Sequence, residues 1–177
     1  RGHQKIFEKL FEAKKQGLKT AVFTFDPSPE SFFSKKQQPE LTTRAEKRSV
    51  FSEMQIDYLV EYPFRQETAD VLPQDYVTDF LLNKMNGRKI VAGTDVSFGK
   101  GGKGDATLLE EMSEKYGFQF EKVDKIRLGE REISSSYIRE EVEKGNMENA
   151  EKLLGRPYFL YGKVEDGKKL GRTIGIP

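Results

Sequence analysis

The sequence predicts an α/β domain whose sheet is mostly parallel. Short apolar runs alternate with amphipathic stretches along most of the chain, and this alternation is typical of parallel strands that helices cover on both faces. Polar and glycine-rich segments follow the predicted strands, at the edge where ligands bind in such sheets. After Gly155-Arg156-Pro157 the chain becomes glycine-rich and β-prone, and we place a domain boundary there.

The first predicted elements are a helix and a buried strand. Apolar side chains recur at helical spacing at Ile6, Phe7, Leu10 and Phe11. This helix ends near Gly17, and the β-prone run Thr20–Phe25 follows it as a strand. Pro27 and Pro29 end the strand because proline donates no ladder hydrogen bond.

The rest of the chain repeats the helix–strand order. Residues 30–41 are rich in Ser, Lys and Gln, and we expect a loop there. Thr43 and Glu46 have the spacing of a capping box, which opens a helix before the strand Asp57–Tyr62. Pro73 suits the first turn of the next helix. The later predicted elements are a strand at Arg88–Gly93, a helix from Asp105 to Gly117, a strand at Phe118–Val123, helices at Ser136–Lys144 and Met147–Leu154, and a strand at Pro157–Val164.

Composition excludes several classes of protein. The 30 Lys and Arg residues nearly balance the 29 Asp and Glu residues, and a net charge of +1 argues against a chain that coats nucleic acid. There is no cysteine, so disulfides and thiolate metal sites are excluded. No run approaches the roughly 20 apolar residues of a membrane helix and no secretory signal is present, so we expect a cytoplasmic protein without a membrane partner.

Gly2 and His3 stand at the start of the first predicted helix. Backbone N–H groups at a helix start attract phosphate, and a neighbouring imidazole adds a donor. His3 is the only histidine, and a lone histidine is more often incidental than catalytic. One histidine without cysteine excludes a zinc site and a Cys–His nucleophile pair, and no Gly-x-Ser-x-Gly elbow supports a serine hydrolase.

Two further polar segments follow predicted strands. Asp26-Pro27-Ser28-Pro29 is either a rigid turn or a place where the Asp26 carboxylate holds Mg²⁺ or a ligand hydroxyl. Gly93–Asp105 holds five glycines in thirteen residues, which allows the backbone to approach a ligand closely, although a mobile surface loop has the same composition. The residues around Lys103 do not have the Walker A pattern.

Ser134–Arg139 is the strongest single candidate for phosphate binding. It places three hydroxyls at a predicted helix start and the Arg139 guanidinium one turn later. N-capping alone explains only one serine. Hydroxyls, helix N–H groups and a fixed positive charge together form a good polyphosphate clamp.

Taken together and in order, these segments resemble the bacterial bifunctional riboflavin kinase/FMN adenylyltransferase family. Gly2-His3 is similar to the end of the family's His-x-Gly-His motif, and Phe25–Pro29 to its Phe-Asp-Pro-His-Pro motif. Gly93–Asp105 resembles its glycine-rich segment, and Ile133–Arg139 its Ile-Ser-Ser-Thr-x-Ile-Arg motif. Residues 154–177 resemble the link to its kinase domain and the first strands of that barrel.

Three positions depart from the family motifs. Ser28 stands in place of His, Val96 in place of Phe, and Ser136 in place of Thr. Ser136 keeps its hydroxyl, so the resemblance still implies an intact clamp. The other two changes fall on the flavin side of the implied site.

The resemblance implies a Rossmann-like nucleotidyltransferase domain in residues 1–155 that lacks its first strand, followed in residues 156–177 by the start of a riboflavin kinase-like β-barrel. The chain has no initiator Met and stops at Pro177, so we interpret both ends as cuts through a longer sequence. The implied reaction transfers AMP from ATP to FMN and gives FAD and pyrophosphate, with Mg²⁺ as the cofactor. The full-length protein would also phosphorylate riboflavin.

The resemblance also implies the residues of the site. The implied catalytic residues are His3, Ser135, Ser136 and Arg139. ATP and its phosphates would contact Gly2, His3, Gly93, Asp95, Ser134, Ser135, Ser136 and Arg139. FMN would contact Asp26, Pro27, Ser28, Asp95, Phe98 and Asp105. No residue is assigned as a metal ligand.

Other functions stay open at this point. Gly2-His3 and the serine-rich clamp also suit nucleotidyltransferases of other small phosphorylated substrates, such as phosphopantetheine or glycerol 3-phosphate. Ser28 and Val96 are compatible with a non-catalytic module that binds flavin or nucleotide. RNA binding has little support because no basic stripe accompanies the net charge of +1. The sequence indicates no oligomeric state.

Overall fold

The fold contains two pairs of parallel strands. The computed structural model describes residues 2–34, 40–160 and 162–163 of the chain. Strand β1 (Ala21–Asp26) pairs with β2 (Tyr58–Pro63), and β3 (Lys89–Gly93) pairs with β4 (Gln119–Val123). An antiparallel hairpin follows, made of β5 (Arg127–Leu128) and β6 (Arg131–Glu132). The predicted mixed α/β class with parallel pairing is confirmed, but the described strands form separate two-stranded sheets rather than one continuous sheet.

Helices surround the strand pairs. Their bounds are α1 (Gly2–Lys15), α2 (Pro29–Phe33), α3 (Arg44–Glu53), α4 (Gln66–Ala69), α5 (Pro73–Asp75), α6 (Ala106–Tyr116), α7 (Ser135–Glu143) and α8 (Met147–Leu154). A π-helix (Tyr76–Lys84) continues α5, and a 3₁₀ turn (Lys100–Gly102) lies in the loop after β3. Pro73 occupies the first turn of α5, as predicted. Within the described residues, every helix is too short or too polar to cross a membrane.

Capping residues start the helices where the sequence predicts them. In the capping box, the Thr43 N–H donates to Glu46 Oε2 at 2.7 Å and the Glu46 N–H donates to Thr43 Oγ1 at 3.3 Å. The Asp105 carboxylate accepts a hydrogen bond from the Leu108 N–H at 2.9 Å and opens α6. Gly117 ends that helix with a φ of 74°, a left-handed conformation that glycine adopts without strain.

The prediction of a loop over residues 30–41 is wrong in its first part, because α2 occupies Pro29–Phe33. The Ser28 hydroxyl accepts a hydrogen bond from the Ser31 N–H at 3.2 Å, and Pro29 lies in the first turn. A serine cap followed by proline favours a helix start. Residues 35–39 of the predicted loop lie outside the described part of the chain.

The predicted strand Pro157–Val164 has no counterpart among its described residues, 157–160 and 162–163. β-prone side chains form a strand where a neighbouring edge pairs with them, and no described strand pairs with this segment. Residues 164–177 lie outside the described part of the chain, and most of the predicted barrel start lies there.

Two clusters of apolar side chains hold the elements together. The first lies between the π-helix, the loop after β3 and α6, and contains Val77, Phe98, Leu109, Met112 and Phe118. The second joins β1 to the π-helix, where the ring centroids of Phe23 and Tyr76 lie 5.7 Å apart. The Tyr76 ring also lies 5.5 Å from that of Phe98. Each such ring contact stabilises the fold by about 0.5–1.5 kcal/mol beyond the free energy gained by burying the rings. These contacts therefore hold the loop after β3 close to the end of β1.

Candidate active site

The N-terminus of helix α1 lies beside the segment that precedes α7. Near the end of α1, the Lys14 ammonium is 3.1 Å from Asp57 Oδ2, just before β2 begins. At the start of α1, a Cβ built on Gly2 would stand 3.9 Å from the Ile133 carbonyl oxygen. Helix α1 therefore runs antiparallel to the strands and begins at the edge where they end, which is the ligand-binding edge of an open α/β sheet.

Helix α7 begins at the same place with a serine cap. The Ser134 hydroxyl accepts a hydrogen bond from the Tyr137 N–H at 3.2 Å, and Ser135 and Ser136 are exposed in the first turn. Neither α1 nor α7 has an acidic residue in its first turn. The free N–H groups and positive dipole ends of two helices thus meet near one point, and they favour an anion there.

Arg139 has unused hydrogen-bonding capacity one turn into α7. Its Nη1 donates to the Ser136 hydroxyl at 3.5 Å, which is a long contact. Its Nε is buried and has no hydrogen-bond partner among the described residues. A buried N–H left without an acceptor typically costs about 1–3 kcal/mol, more when the group is charged, and an anionic oxygen would remove that cost.

The loop after β3 is linked to the segment before α7 through Lys125. The Lys125 ammonium is 3.3 Å from Asp95 Oδ2 and 3.1 Å from Glu132 Oε2. Asp95 lies tightly against the end of β3, because a Cβ at Gly93 would stand 2.9 Å from Asp95 Oδ1. Glycine at position 93 therefore allows this carboxylate to reach Lys125.

His3 lies at this edge, where its surroundings disfavour the charged imidazolium form. The side chain keeps contact with solvent, yet the protein atoms around the ring remove enough water to lower the pKa of His3 below its ordinary value. The negative charge of Asp95 acts in the opposite direction on that pKa, with a smaller effect. A neutral imidazole has one N–H to donate and one nitrogen to accept.

One cavity of about 1750 Å³ brings together part of the predicted site. The predicted residues that line it are Gly2, His3, Gly93, Asp95, Phe98, Ser134 and Ser135. Ser136 and Arg139 do not line the cavity but lie on α7 directly after its rim. Most of the residues predicted to contact ATP therefore face one space, and their contact with ATP stays a prediction.

The residues predicted to contact FMN are more widely spread. Asp26 ends β1 and forms an ion pair with Arg44, and the Asp26–Pro27 peptide bond is cis. Ser28 caps α2, and Asp105 caps α6. The large cavity is lined by none of the residues Asp26, Pro27, Ser28 and Asp105.

Phe98 has mainly a packing role. Its side chain is only 7% exposed and belongs to the core cluster of α6 and the π-helix. A Cβ on Gly104 would stand 2.4 Å from the ring, so the loop closes directly over Phe98. Contact of this ring with flavin stays a prediction.

Sequence reasoning missed three charged residues at this edge. Lys125 follows β4 by two residues, and Arg44 contacts both Asp26 and Glu61. Arg131 donates to both carboxylate oxygens of Glu140, at 2.8 and 2.7 Å. The sequence feature that could have identified them is their position after or beside predicted strand ends, where ligands bind in such folds.

The family model described as FAD synthetase matches residues 1–137, more than half of the chain. The chain belongs to the FAD synthetase family. The match includes the starts of α1 and α7 and the loop after β3, which are the segments that form the edge described above.

Curated relatives carry the name bifunctional riboflavin kinase/FMN adenylyltransferase. The relative from Escherichia coli K12 is 33% identical over 179 residues, with 100% of this chain and 57% of the relative covered. Those from Listeria monocytogenes and Bacillus subtilis are 36% and 34% identical, with 99% of this chain and 56% of each relative covered. This FAD synthetase family member therefore spans a little over half the length of these relatives.

A solved structure has the same fold as this FAD synthetase family member. It is described as a macrolide-efflux protein from Streptococcus pneumoniae. The TM-score is 0.87 at 29% sequence identity, with 99% of this chain and 58% of the other covered.

Proposed function

We propose that the chain transfers the AMP moiety of ATP to FMN, which gives FAD and pyrophosphate. The observation that carries this proposal is the meeting of the α1 and α7 N-termini, with Arg139 one turn further along α7. Such a place suits a polyphosphate, because N–H groups and a guanidinium meet its oxygens. The second substrate is taken from the relatives, whose names give FMN adenylyltransferase activity to those proteins.

In the proposed reaction, a phosphate oxygen of FMN attacks the α-phosphorus of ATP in line. A new P–O bond joins AMP to the FMN phosphate, and the bond from the α-phosphorus to pyrophosphate breaks. The electron pair of that bond leaves with pyrophosphate. No covalent bond to the protein forms, so the protein contributes positioning and charge stabilisation.

The roles of the residues follow from where they lie. We assign the β- and γ-phosphates to Ser134, Ser135, Ser136 and Arg139. His3 would donate its N–H to the α- or β-phosphate, and its lowered pKa favours the uncharged ring as the donor. Gly2 would add a backbone N–H, and Gly93 and Asp95 would contact the adenosine or the flavin.

Magnesium enters this proposal as part of the substrate. No group of three or more His, Cys, Asp or Glu side chains within the described residues is arranged to hold a metal ion. The carboxylates of Asp95 and Glu132 are both paired with Lys125. We therefore propose that Mg²⁺ arrives on the phosphates of ATP and neutralises charge there.

We assign the FMN side to the end of β1 and the loop after β3, where Asp26, Pro27, Ser28, Phe98 and Asp105 lie. In the longer protein, residues 1–155 would form a Rossmann-like adenylyltransferase domain. Residues 156–177 would begin a barrel that phosphorylates riboflavin. The proposed location is the cytoplasm, where both flavin substrates and ATP are available.

The test is to incubate the purified chain with FMN and magnesium ATP, and to follow FAD by chromatography and pyrophosphate by an enzymatic assay. Arg139→Ala is expected to lower kcat/KM about 10²–10³-fold, because it removes a group that stabilises the departing charge. Arg65→Ala is the matched control, since Arg65 is exposed at the start of α4 and should leave the rate unchanged.

Several results would overturn the proposal. Binding of FMN or ATP without release of pyrophosphate would identify a binding module instead of an enzyme. Release of pyrophosphate with another small phosphate ester, but not with FMN, would identify a different nucleotidyltransferase. Undiminished FAD synthesis by the Arg139→Ala variant would contradict the assignment of the clamp.

A further inference from the structure

The side chains that we assign to phosphate binding share one side of helix α7. At about 100° of rotation per residue, Ser135, Ser136 and Arg139 fall within about 100° of the helix circumference. Tyr137 and Glu141, which are one turn apart, lie on the opposite side of the same helix. The direction in which the phosphate-binding groups point therefore depends on what holds Tyr137 and Glu141.

Asn149 on helix α8 holds this opposite side of α7 at two points. Its Nδ2 donates to Glu141 Oε2 at 2.7 Å and to Tyr137 Oη at 3.3 Å. A side-chain amide has two N–H hydrogens, so it can make both bonds at once. Asn146, at the start of α8, donates a further hydrogen bond to the same Glu141 oxygen at 3.2 Å. Two attachment points one turn apart fix the rotation of α7 and its position along α8.

The contact between α7 and α8 is polar at a place where an apolar contact would be simpler. Glu141 is only 7% exposed although it carries a carboxylate. An apolar side chain there would avoid the cost of removing a charge from water, whereas hydrogen bonds add a fixed direction. Tyr137 is also held on its ring face, because the Arg131 guanidinium carbon lies 3.9 Å from the ring centroid.

A small rotation of α7 would be enough to misplace the phosphate-binding groups. A side-chain atom about 5 Å from the helix axis moves nearly 2 Å when the helix rotates by about 20°. That distance exceeds the spread of good hydrogen-bond lengths, which is about 0.5 Å. A displacement of about 1 Å can lower a rate roughly 100-fold. Arg139 is sensitive to such a displacement, because its buried Nε has no partner among the described residues.

We propose that Asn149 is a positioning residue of the phosphate clamp and that it acts through Tyr137 and Glu141. The inference rests on the proposed function, because it takes Ser135, Ser136 and Arg139 as the groups that hold phosphate. Asn149 lies outside the lining of the large cavity, and it has no direct contact with substrate in this proposal. Its loss should weaken the binding of polyphosphate and slow the reaction of ATP, and it should leave the KM for FMN unchanged.

The test compares the unmodified chain with Asn149→Leu, which has a similar shape and no hydrogen-bond donor. Steady-state FAD synthesis gives kcat and KM for ATP and FMN, and calorimetry gives the Kd of inorganic pyrophosphate in the presence of magnesium chloride. All measurements are made at a temperature where circular dichroism shows that each variant is folded. We expect Asn149→Leu to lower kcat/KM for ATP and to raise the Kd of pyrophosphate, each by at least about tenfold.

A reversed pair of side chains tests whether the hydrogen bonds themselves position α7. Asn149→Asp places a second carboxylate beside Glu141 and should impair pyrophosphate binding more than Asn149→Leu does. Adding Glu141→Gln reverses each donor and acceptor, because the new amide donates to the new carboxylate and the Tyr137 hydroxyl donates to it as well. The double variant should therefore recover the pyrophosphate Kd to within about threefold of the unmodified chain.

Thr20→Val is the control for a loss of stability alone. It removes a buried hydroxyl that donates to Asp57 beyond the far end of α1, and that helix of 14 residues is about 20 Å long. We expect a lower melting temperature with an unchanged Kd for pyrophosphate. If Asn149→Leu also lowers only the melting temperature, or if Thr20→Val weakens pyrophosphate binding equally, the positioning role is overturned. A folded double variant without recovered affinity would overturn it too.

The remaining outcomes separate this inference from the proposed reaction. If Asn149→Leu does not fold, Tyr137→Phe takes its place, because it removes one attachment point with little change of shape. It should raise the Kd of pyrophosphate about threefold, and an unchanged Kd would overturn the proposal. If the unmodified chain binds pyrophosphate but makes no FAD, the proposed reaction fails while the comparison of Kd values still decides the role of Asn149. An unmodified chain that binds no pyrophosphate would overturn both the clamp and its positioning.

Discussion

The Lys125 ammonium nitrogen lies 3.3 Å from Asp95 Oδ2, so one ion pair joins the segment after β4 to the loop after β3. Glu132 Oε2 lies 3.1 Å from the same nitrogen. Lys125 thus neutralises two carboxylates at the place to which we assign the ATP phosphates. Without that neutralisation, both carboxylates would repel the nucleotide.

We expect Lys125→Met to raise the KM for ATP about tenfold, because two unpaired carboxylates then face the phosphates. The thermal stability should change little, since partly exposed ion pairs contribute about 0–1 kcal/mol. Steady-state kinetics with varied ATP measure this, and the KM for FMN is the internal control. Lys122→Met is the matched variant, because Lys122 is exposed and its nearest carboxylate is 3.9 Å away. An equal rise in both variants would contradict the assignment.

The Lys125–Asp95 pair was not predictable from the sequence, although its place in the fold was. Apolar runs end at Gly93 and Val123, and the carboxyl ends of parallel strands share one edge. Which charged residues meet at that edge depends on the course of two loops. Loop courses depend on distant contacts, such as the closure of Gly104 over Phe98, and local sequence signals do not determine them.

Helix starts were predictable because a cap acts within one turn. Thr43 and Asp105 accept their hydrogen bonds from residues three positions later, as the sequence spacing indicates. Sheet pairing was less predictable, since it joins residues far apart in the chain. Where one continuous sheet was expected, the described residues form two separate parallel pairs. The expected strand at Pro157–Val164 has no partner among the described strands.

Ser134 and Ser135 are adjacent, but we expect their substitutions to have different effects. Ser134→Ala removes the cap of α7 and should cost about 0.5–2 kcal/mol of unfolding free energy. Ser135→Ala affects an exposed hydroxyl and should change stability by less than about 0.5 kcal/mol. It should nevertheless lower kcat/KM about 10–100-fold, because a hydrogen bond to a charged phosphate is lost. Chemical denaturation and FAD synthesis assays measure the two effects, and a fully active Ser135→Ala variant would remove Ser135 from the clamp.

His3 should titrate with a pKa below the ordinary value of 6.5. As the only histidine in the chain, it gives an unambiguous ring-proton signal in an NMR titration. Asp95→Asn should lower the pKa further, because the Asp95 charge stabilises the imidazolium form. Glu148→Gln, at an exposed position of helix α8, should leave the titration unchanged. A midpoint above 6.5 would show that His3 is protonated more readily than we propose and would make it a cationic rather than a neutral donor.

Asp57 should make the stability of the chain sensitive to acid. Its Oδ2 accepts hydrogen bonds from the Thr20 N–H and hydroxyl, both at 2.8 Å, and Thr20 is buried. These bonds, with a further contribution from Lys14, hold the pKa of Asp57 well below its usual range. A carboxyl with a lowered folded-state pKa stabilises the protein fully above its unfolded pKa of about 3.9, and this contribution is lost as the pH falls through the folded value.

We therefore expect Asp57→Asn to lower the free energy of unfolding at pH 7, with a difference from the unmodified chain that narrows as the pH falls from about 4 towards 2. Urea denaturation at pH 7, 4 and 3 measures both free energies. Asp79→Asn is the control, because Asp79 is exposed on the π-helix and should show a small, pH-independent difference. A difference for Asp57→Asn that stays constant between pH 7 and 3 would mean that the Asp57 charge does not stabilise the junction of α1, β1 and β2. The acid sensitivity would then have to come from other carboxylates.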